Sequence, residues 1–184
     1  VKKGENFAVF IDSSNLYYTT KALGWKIDYK LLLNFFEERG DLLRPYLYTT
    51  TIPEGEDRGR PLTDWLQYNG YTVNSKPVKT YSNPQGTKIS KGNMDVELAV
   101  DALEMATTQK LQRIVIMSGD GDFTYLVKAI QKKGVRVTII STRKTQPSFA
   151  ADELIRTADE FIDLVDIRPQ IENKRQATIA LVGK

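Results

Sequence analysis

Histidine and cysteine are both absent from the 184-residue sequence. Their absence excludes a His-based catalytic triad, a Cys nucleophile, a Cys/His zinc site and any disulfide. A metal bound by this chain must be held mainly by oxygen, which favours Mg²⁺ or Mn²⁺. Acid/base chemistry falls to carboxylates, lysine, tyrosine or metal-bound water. Long apolar runs are missing as well: no segment approaches the ~18 apolar residues of a membrane span. The apolar run after Val1-Lys2-Lys3-Gly4-Glu5-Asn6 is too short for a signal-peptide core. A cytoplasmic protein without a membrane partner is expected.

Charge of one sign is not in large excess, since the formal net charge is +3, so its distribution matters more than its total. Between Asn74 and Asn93 lie Lys76, Lys79, Lys88 and Lys91 with no acid among them. Such a stretch is either ordinary solvated surface or a rim that binds phosphates. The length suits one domain with a substantial core.

Along the chain, apolar runs alternate with helical patterns. Phe7 to Ile11 reads as a buried strand ending at Asp12-Ser13-Ser14-Asn15, whose N-cap residues start a helix near Ser13 or Ser14. Asp28 to Arg39 reads as a helix stopped by Gly40, and Leu42 to Thr51 as the second strand. The charged stretch from Pro53 to Arg60 reads as an exposed loop, followed by a helix from Pro61 to about Asn69-Gly70. Tyr71 to Val78 is a third strand interrupted at Pro77. Thr80 to Gly92, with its Asn83-Pro84-Gln85-Gly86 turn signal, is expected to be a long functional loop. Asn93 to Thr107 is a helix with Val96, Ala99, Val100, Leu103 and Ala106 as its core stripe. A buried strand from Arg113 to Met117 meets Ser118-Gly119-Asp120-Gly121-Asp122, then a helix to Lys133, and a fifth strand spans Val135 to Ile140. Phe149 to Ala158 reads as a helix and Phe161 to Ile167 as a short terminal strand. Residues 1–167 form the domain, and 168–184 a tail or linker. The expected fold is a Rossmann-like α/β three-layer sandwich with a mainly parallel sheet of about five strands.

Four carboxylates fall where strands yield to helices: Asp12, Asp95, Asp120 and Asp122. Taken singly, Asp12, Asp120 and Asp122 could be helix caps, and Asp95 could complement a helix dipole. Taken together, Asp12, Asp95 and Asp120 belong at one edge of a parallel sheet, where ligands bind in open α/β folds. Clustered acids raise one another's pKa, a conflict that a divalent cation resolves. Asn15 could aim its amide into the same crevice or simply shape the turn, and Ser118 could bond a carboxylate or merely end its strand. Asp101 aligns with Glu97 and Glu104 on a polar face and reads as a solvated acid, with an indirect supporting contact to the site as the alternative.

On strand-Asp12-Ser13-Ser14-Asn15, on Lys91-Gly92-Asn93-Met94-Asp95-Val96 with Asp101 following, and on Ser118-Gly119-Asp120-Gly121-Asp122-Phe123, the sequence resembles the NYN branch of the PIN-like nuclease superfamily, and within it the LabA-like group. The order of elements from about Phe7 to Val165 shares in the resemblance. It implies a Rossmann-like parallel sheet and an acidic Mg²⁺ or Mn²⁺ site that hydrolyses RNA phosphodiesters to 5′-phosphate and 3′-hydroxyl products. Asp12, Asp95 and Asp120 would then be metal ligands or water-positioning acids, with Asp120 favoured over Asp122 as the ligand at that turn. Asp122 would be a further acid, Asn15 a supporting amide and Ser118 a site-shaping hydroxyl. Lys76, Lys79, Lys88, Lys91, Arg143 and Lys144 are candidates to guide a single-stranded RNA backbone, and Tyr81 to stack a base. Two other readings remain: a non-catalytic RNA-binding regulatory module on the same fold, and a phosphotransfer domain with Asp12 as nucleophile. The oligomeric state is open, a homodimer included.

Overall fold

The computed structural model describes residues 4–51, 60–82 and 88–174; the side chains of residues 60, 79–82 and 88–91 are outside that description. Strand β1 (Asn6–Asp12) leads into helix α1 (Ser13–Leu23), then α2 (Tyr29–Glu37), β2 (Asp41–Thr51), α3 (Arg60–Tyr68) and β3 (Thr72–Pro77). A two-stranded hairpin, β4 (Lys79–Ser82) with β5 (Lys88–Lys91), precedes α4 (Asp95–Thr108) and β6 (Arg113–Met117). A 3₁₀ turn (Gly121–Phe123) opens α5 (Thr124–Gln131), followed by β7 (Arg136–Ser141), α6 (Asp152–Thr157), β8 (Glu160–Asp163) and α7 (Leu164–Ile171).

The main sheet has the order β3-β2-β1-β6-β7-β8, and every pairing in it is parallel. It has six strands rather than about five. The chain runs outward from β1 through β2 to β3, then returns to the other side of β1 as β6. The switch point of the topology therefore lies between β1 and β6, where open α/β sheets leave a crevice at the strands' carboxyl ends.

Strand β1 shows how the layers form. Successive side chains of a strand point to opposite faces. Phe7, Val9 and Ile11 join Leu16, Leu32, Phe35, Phe36, Leu66, Leu164 and Ile167, from the helices on one face. Ala8 and Phe10 join Leu98, Ala102, Leu126, Val127, Ile130 and Leu154 on the other. Burial on both faces is why the strand reads as a continuous apolar run rather than an alternating one.

Three expectations are corrected. The stretch Thr80 to Gly92 is not simply a loop: it contributes most of the antiparallel hairpin, pairing Lys79 with Lys91 and Ser82 with Lys88. The terminal strand ends at Asp163, and Leu164–Ile171 is helical, because the Asp163 carboxylate caps that helix by accepting from Val165 N. Helix α4 is rotated relative to the expected stripe: Val96 and Val100 are 70% and 58% exposed, whereas Leu98, Ala102 and Ala106 are buried. Burying Met94 and Leu98 against Phe10 and Tyr48 turns Val96 and Val100 about 160° away, at about 100° per residue. The charged stretch expected from Pro53 lies outside the described residues as far as position 59, and the expected tail does so from 175 onward.

At the opposite, amino edge of the sheet, buried Arg113 ties several elements together. Its guanidinium donates to Glu5 Oε2 (3.0 Å), Glu160 Oε2 (3.0 Å) and Thr138 Oγ1 (2.6 Å). Removing a buried partner leaves an uncompensated charge, so Arg113→Ala should lower unfolding free energy by about 3–5 kcal/mol in urea melts. A loss below about 1 kcal/mol would match an exposed ion pair instead.

Candidate active site

Asp12 ends β1 and is buried, which makes its carboxylate dependent on local donors. Its Oδ1 caps α1 by accepting from Asn15 N (3.1 Å), and its Oδ2 accepts from Ser118 Oγ (3.0 Å). Ser118, buried one residue beyond β6, accepts in turn from Asp120 N (3.2 Å). Asn15 Oδ1 accepts from Gly119 N (3.1 Å). The Asp12 and Ser118 blocks, 106 residues apart in sequence, are thus joined directly across the switch point.

Gly119 has a steric reason for its identity. A Cβ there would lie 2.0 Å from Phe149 O and 2.4 Å from Ser141 Oγ, and Gly119 O accepts from Ala151 N (2.9 Å). The turn is therefore wedged against the segment that follows β7. Asp120 Oδ1 accepts from Asp122 N (2.9 Å) and caps the 3₁₀ turn, leaving Asp120 half-buried and Asp122 exposed.

Asp95 enters from the other side, as the first residue of α4. Buried Met94 and Leu98 anchor that end of the helix in the core, and Asn93 Nδ2 donates to Asp95 Oδ2 (2.6 Å). Burial, then the charges of Asp12, Asp120 and Asp122, push the Asp95 pKa up to about 6. Asp12 is raised too, by burial and by Asp120, against the lowering effect of the Asn15 and Ser118 hydrogen bonds. Asp95 thus feels charges from two other parts of the fold, the end of β1 and the turn after β6.

Asp101 is not the solvated acid expected from its helical phase. It is half-buried and accepts from Tyr48 Oη (2.8 Å). Asp95 and Asp101 flank Leu98 by about 60° on either side, so burying Leu98 draws both to the margins of the core. The tyrosine partner on β2 had no local signal in the sequence around Asp101.

The cationic candidates divide into three groups. Lys76 is bonded to Glu97 Oε1 at 2.6 Å, and that contact holds Glu97 below its usual pKa. Lys79, Lys88 and Lys91 lie on the hairpin, but their side chains, like that of Tyr81, lie outside the described residues. Arg143 and Lys144 follow β7 at the carboxyl edge. Buried Asp163 orders this segment, accepting from Arg143 N (3.1 Å) and Thr142 Oγ1 (2.9 Å), while Thr142 Oγ1 accepts from Lys144 N (3.0 Å). The apolar pattern from Phe161 to Ile167 runs through Asp163 and so hides its capping role. An acid immediately before an apolar helical run was the available sign of a cap.

Oxygen-only donors suit a hard divalent cation. Among the described residues no group of three or more acids stands arranged as a metal site. Mg²⁺ does not require one, since it keeps several waters and commonly uses one or two carboxylates together with substrate phosphates. Asp12 is compatible with such a role although both its oxygens accept hydrogen bonds, because a carboxylate offers about four lone-pair sites.

The NYN domain family model matches residues 6–168, and the chain belongs to that family. It is 33% identical over 169 residues to the low amplitude and bright protein LabA of Synechococcus elongatus, covering 90% of this chain and 87% of that one. An uncharacterized protein of Methanocaldococcus jannaschii is 31% identical over 94 residues, covering 47% of this chain and 38% of its own length. The crystal structure of a protein of unknown function from Vibrio parahaemolyticus superposes with a TM-score of 0.74 at 24% identity, covering 94% of this chain and 99% of that one. The fold is thus of the PIN-like nuclease type. No helix among the described residues is long and apolar enough to cross a membrane.

Two outcomes test this geometry. Because the folded-state pKa of Asp95 lies above its unfolded value of 3.8, its contribution to stability is present at low pH and lost as pH rises toward about 6. Asp95→Asn should therefore melt at a higher temperature than the parent at pH 7.5, and the difference should vanish near pH 4. Gly119→Ala should destabilise by about 1–3 kcal/mol in denaturant titrations, through overpacking against Phe149 and Ser141.

Proposed function

We propose that this protein is a divalent-metal-dependent ribonuclease acting on single-stranded RNA. The observation that carries the reading is the coupled acid cluster at the switch point. Asp12, Asp95, Asp120 and Asp122 come from three elements, and burial of Asp95, then the charges of the other three acids, raise its pKa to about 6, with no cation among the interactions that perturb it. A purely structural arrangement gains nothing from this repulsion. Membership of the NYN family supports a nuclease-type fold around that cluster.

Asp12, Asp95 and Asp120 would hold Mg²⁺ or Mn²⁺, which when bound would activate water and stabilise the leaving oxygen of a phosphodiester. Ser118 orients Asp12 and fixes the Asp120 backbone. Asn15 locks Gly119 and so keeps the two strand ends in register. Asp122, exposed beside Asp120, would serve as a further acid at the crevice mouth. Arg143, Lys144 and the hairpin lysines would supply the positive rim for the RNA backbone.

A second reading, a non-catalytic RNA-binding regulatory module, draws on one specific observation. Both Asp12 oxygens already accept hydrogen bonds. That module would bind RNA in a salt-sensitive manner without metal-dependent turnover.

Incubation of end-labelled single-stranded RNA with the protein separates the two. The ribonuclease reading expects cleavage with Mn²⁺, none with EDTA, and none in Asp120→Asn. It also expects Ser118→Ala to be slowed by about 10–100-fold, as for loss of a group that orients a metal ligand. Cleavage that persists after both chelation and Asp120→Asn would belong to a contaminant and remove the proposal.

A further inference from the structure

Helix α1 begins at the acidic crevice and carries an exposed aromatic face that the chemistry above does not use. Its first turn is fixed there by the Asp12 cap and by Asn15, which holds Gly119. Leu16, Thr19 and Thr20 turn inward. Tyr17 and Tyr18 remain 57% and 58% exposed, their ring centroids 5.3 Å apart at an interplanar angle of 74°. Lys21 Nζ lies 5.9 Å from the Tyr17 ring centroid. At about 100° per residue, Ser14, Tyr17, Tyr18 and Lys21 fall within one sector of about 100°. Side chains on a helix lean toward its N-terminus, which here is the crevice end.

We propose that Tyr17 and Tyr18 form a base-stacking platform for single-stranded RNA adjoining the acidic crevice, with Lys21 contacting the phosphate between the stacked nucleotides. This rests on the RNA reading given above. Sequence-tolerant binding of single strands combines aromatic faces for bases with cations for the backbone, and both lie on this one face. A face meant only to be solvated would gain nothing from two adjacent phenols. A protein-docking face would ordinarily exclude a cation from its centre, whereas a polyanion requires one. The platform has room for one or two bases, which would place the neighbouring phosphodiester toward Asp12 and Asp120. Helix α3 also exposes a large ring, Tyr68, but at the end of the helix remote from the crevice.

Fluorescence anisotropy of labelled single-stranded RNA, measured with EDTA to prevent cleavage, tests the assignment. Tyr17→Ala and Tyr18→Ala should each weaken binding by about 5–100-fold, the effect of losing one stacked base. Tyr17→Phe and Tyr18→Phe, which keep the ring, should bind within about twofold of the parent on the same principle. Lys21→Ala should reduce the slope of log affinity against log salt by about 0.7. An abasic strand of the same length should not distinguish parent from alanine variants, and Tyr68→Ala should match the parent on normal RNA. Melting temperatures equal to the parent's keep folding out of the comparison. Parent-like affinity of both alanine variants overturns the platform while leaving the ribonuclease reading intact. If those variants instead lose self-association of the chain at unchanged RNA affinity, the face docks protein and the proposal fails. Failure of the parent itself to bind or cleave RNA overturns both.

Discussion

A carboxylate buried at the end of an apolar strand is the constraint on which this molecule turns. β1 is buried on both faces, so Asp12 cannot reach bulk water by a small shift, and its charge must be met by local donors. One donor comes from the first turn of α1 and the other from Ser118, beyond β6. The same two contacts set the register of the crevice: Ser118 also holds Asp120 N, and Asn15 holds Gly119 N. The absence of a side chain at Gly119 lets the turn press against Phe149. Capping, strand pairing and site geometry are thus one hydrogen-bonded unit rather than separate features.

That unit explains why cap and site are not competing roles for these acids. Asp12 and Asp120 each use one oxygen as a cap and Asp12 Oδ2 accepts from Ser118, which leaves lone pairs on both carboxylates for further partners. Asp95 is brought to the crevice by the core rather than by a polar contact, because Met94 and Leu98 bury the start of α4 beside Phe10 and Tyr48. Burial there, and then the charges of Asp12, Asp120 and Asp122, push the Asp95 carboxyl pKa up to about 6. On the proposed reading a divalent cation relieves the repulsion among these acids. Fold alone does not confer activity, so the reading depends on that site chemistry and not on the sheet.

The parallel sheet and the strand-end acids were legible because they are written locally. A fully apolar run closed by Asp-Ser-Ser-Asn, or by Ser-Gly-Asp-Gly-Asp, states both the strand and the turn within a few residues. The phase of α4 was not, since Val96 and Val100 are as apolar as Leu98, and only packing against Phe10 and Tyr48 decides which side is buried. The burial of Asp101 is hidden for the same reason: its partner, Tyr48, lies 53 residues away on another strand. The lysine-rich stretch concealed a hairpin because the antiparallel pairing of β4 and β5 leaves a weak pattern when few side chains are apolar. The end of β8 was blurred by an apolar run continuing into α7, with only the cap at Asp163 marking the change.

The central claim is that the switch-point acids form a site for a divalent cation. Room-temperature electron paramagnetic resonance of Mn²⁺ reads this directly, because only the hexaaqua ion gives the sharp six-line signal. Titrating Mn²⁺ into the protein at pH 7.5 should suppress that signal saturably, at one or two ions per chain. Asp12→Asn and Asp95→Asn should each restore it. A free-ion signal that is undiminished by the parent protein, or equally diminished by both variants, would contradict the account.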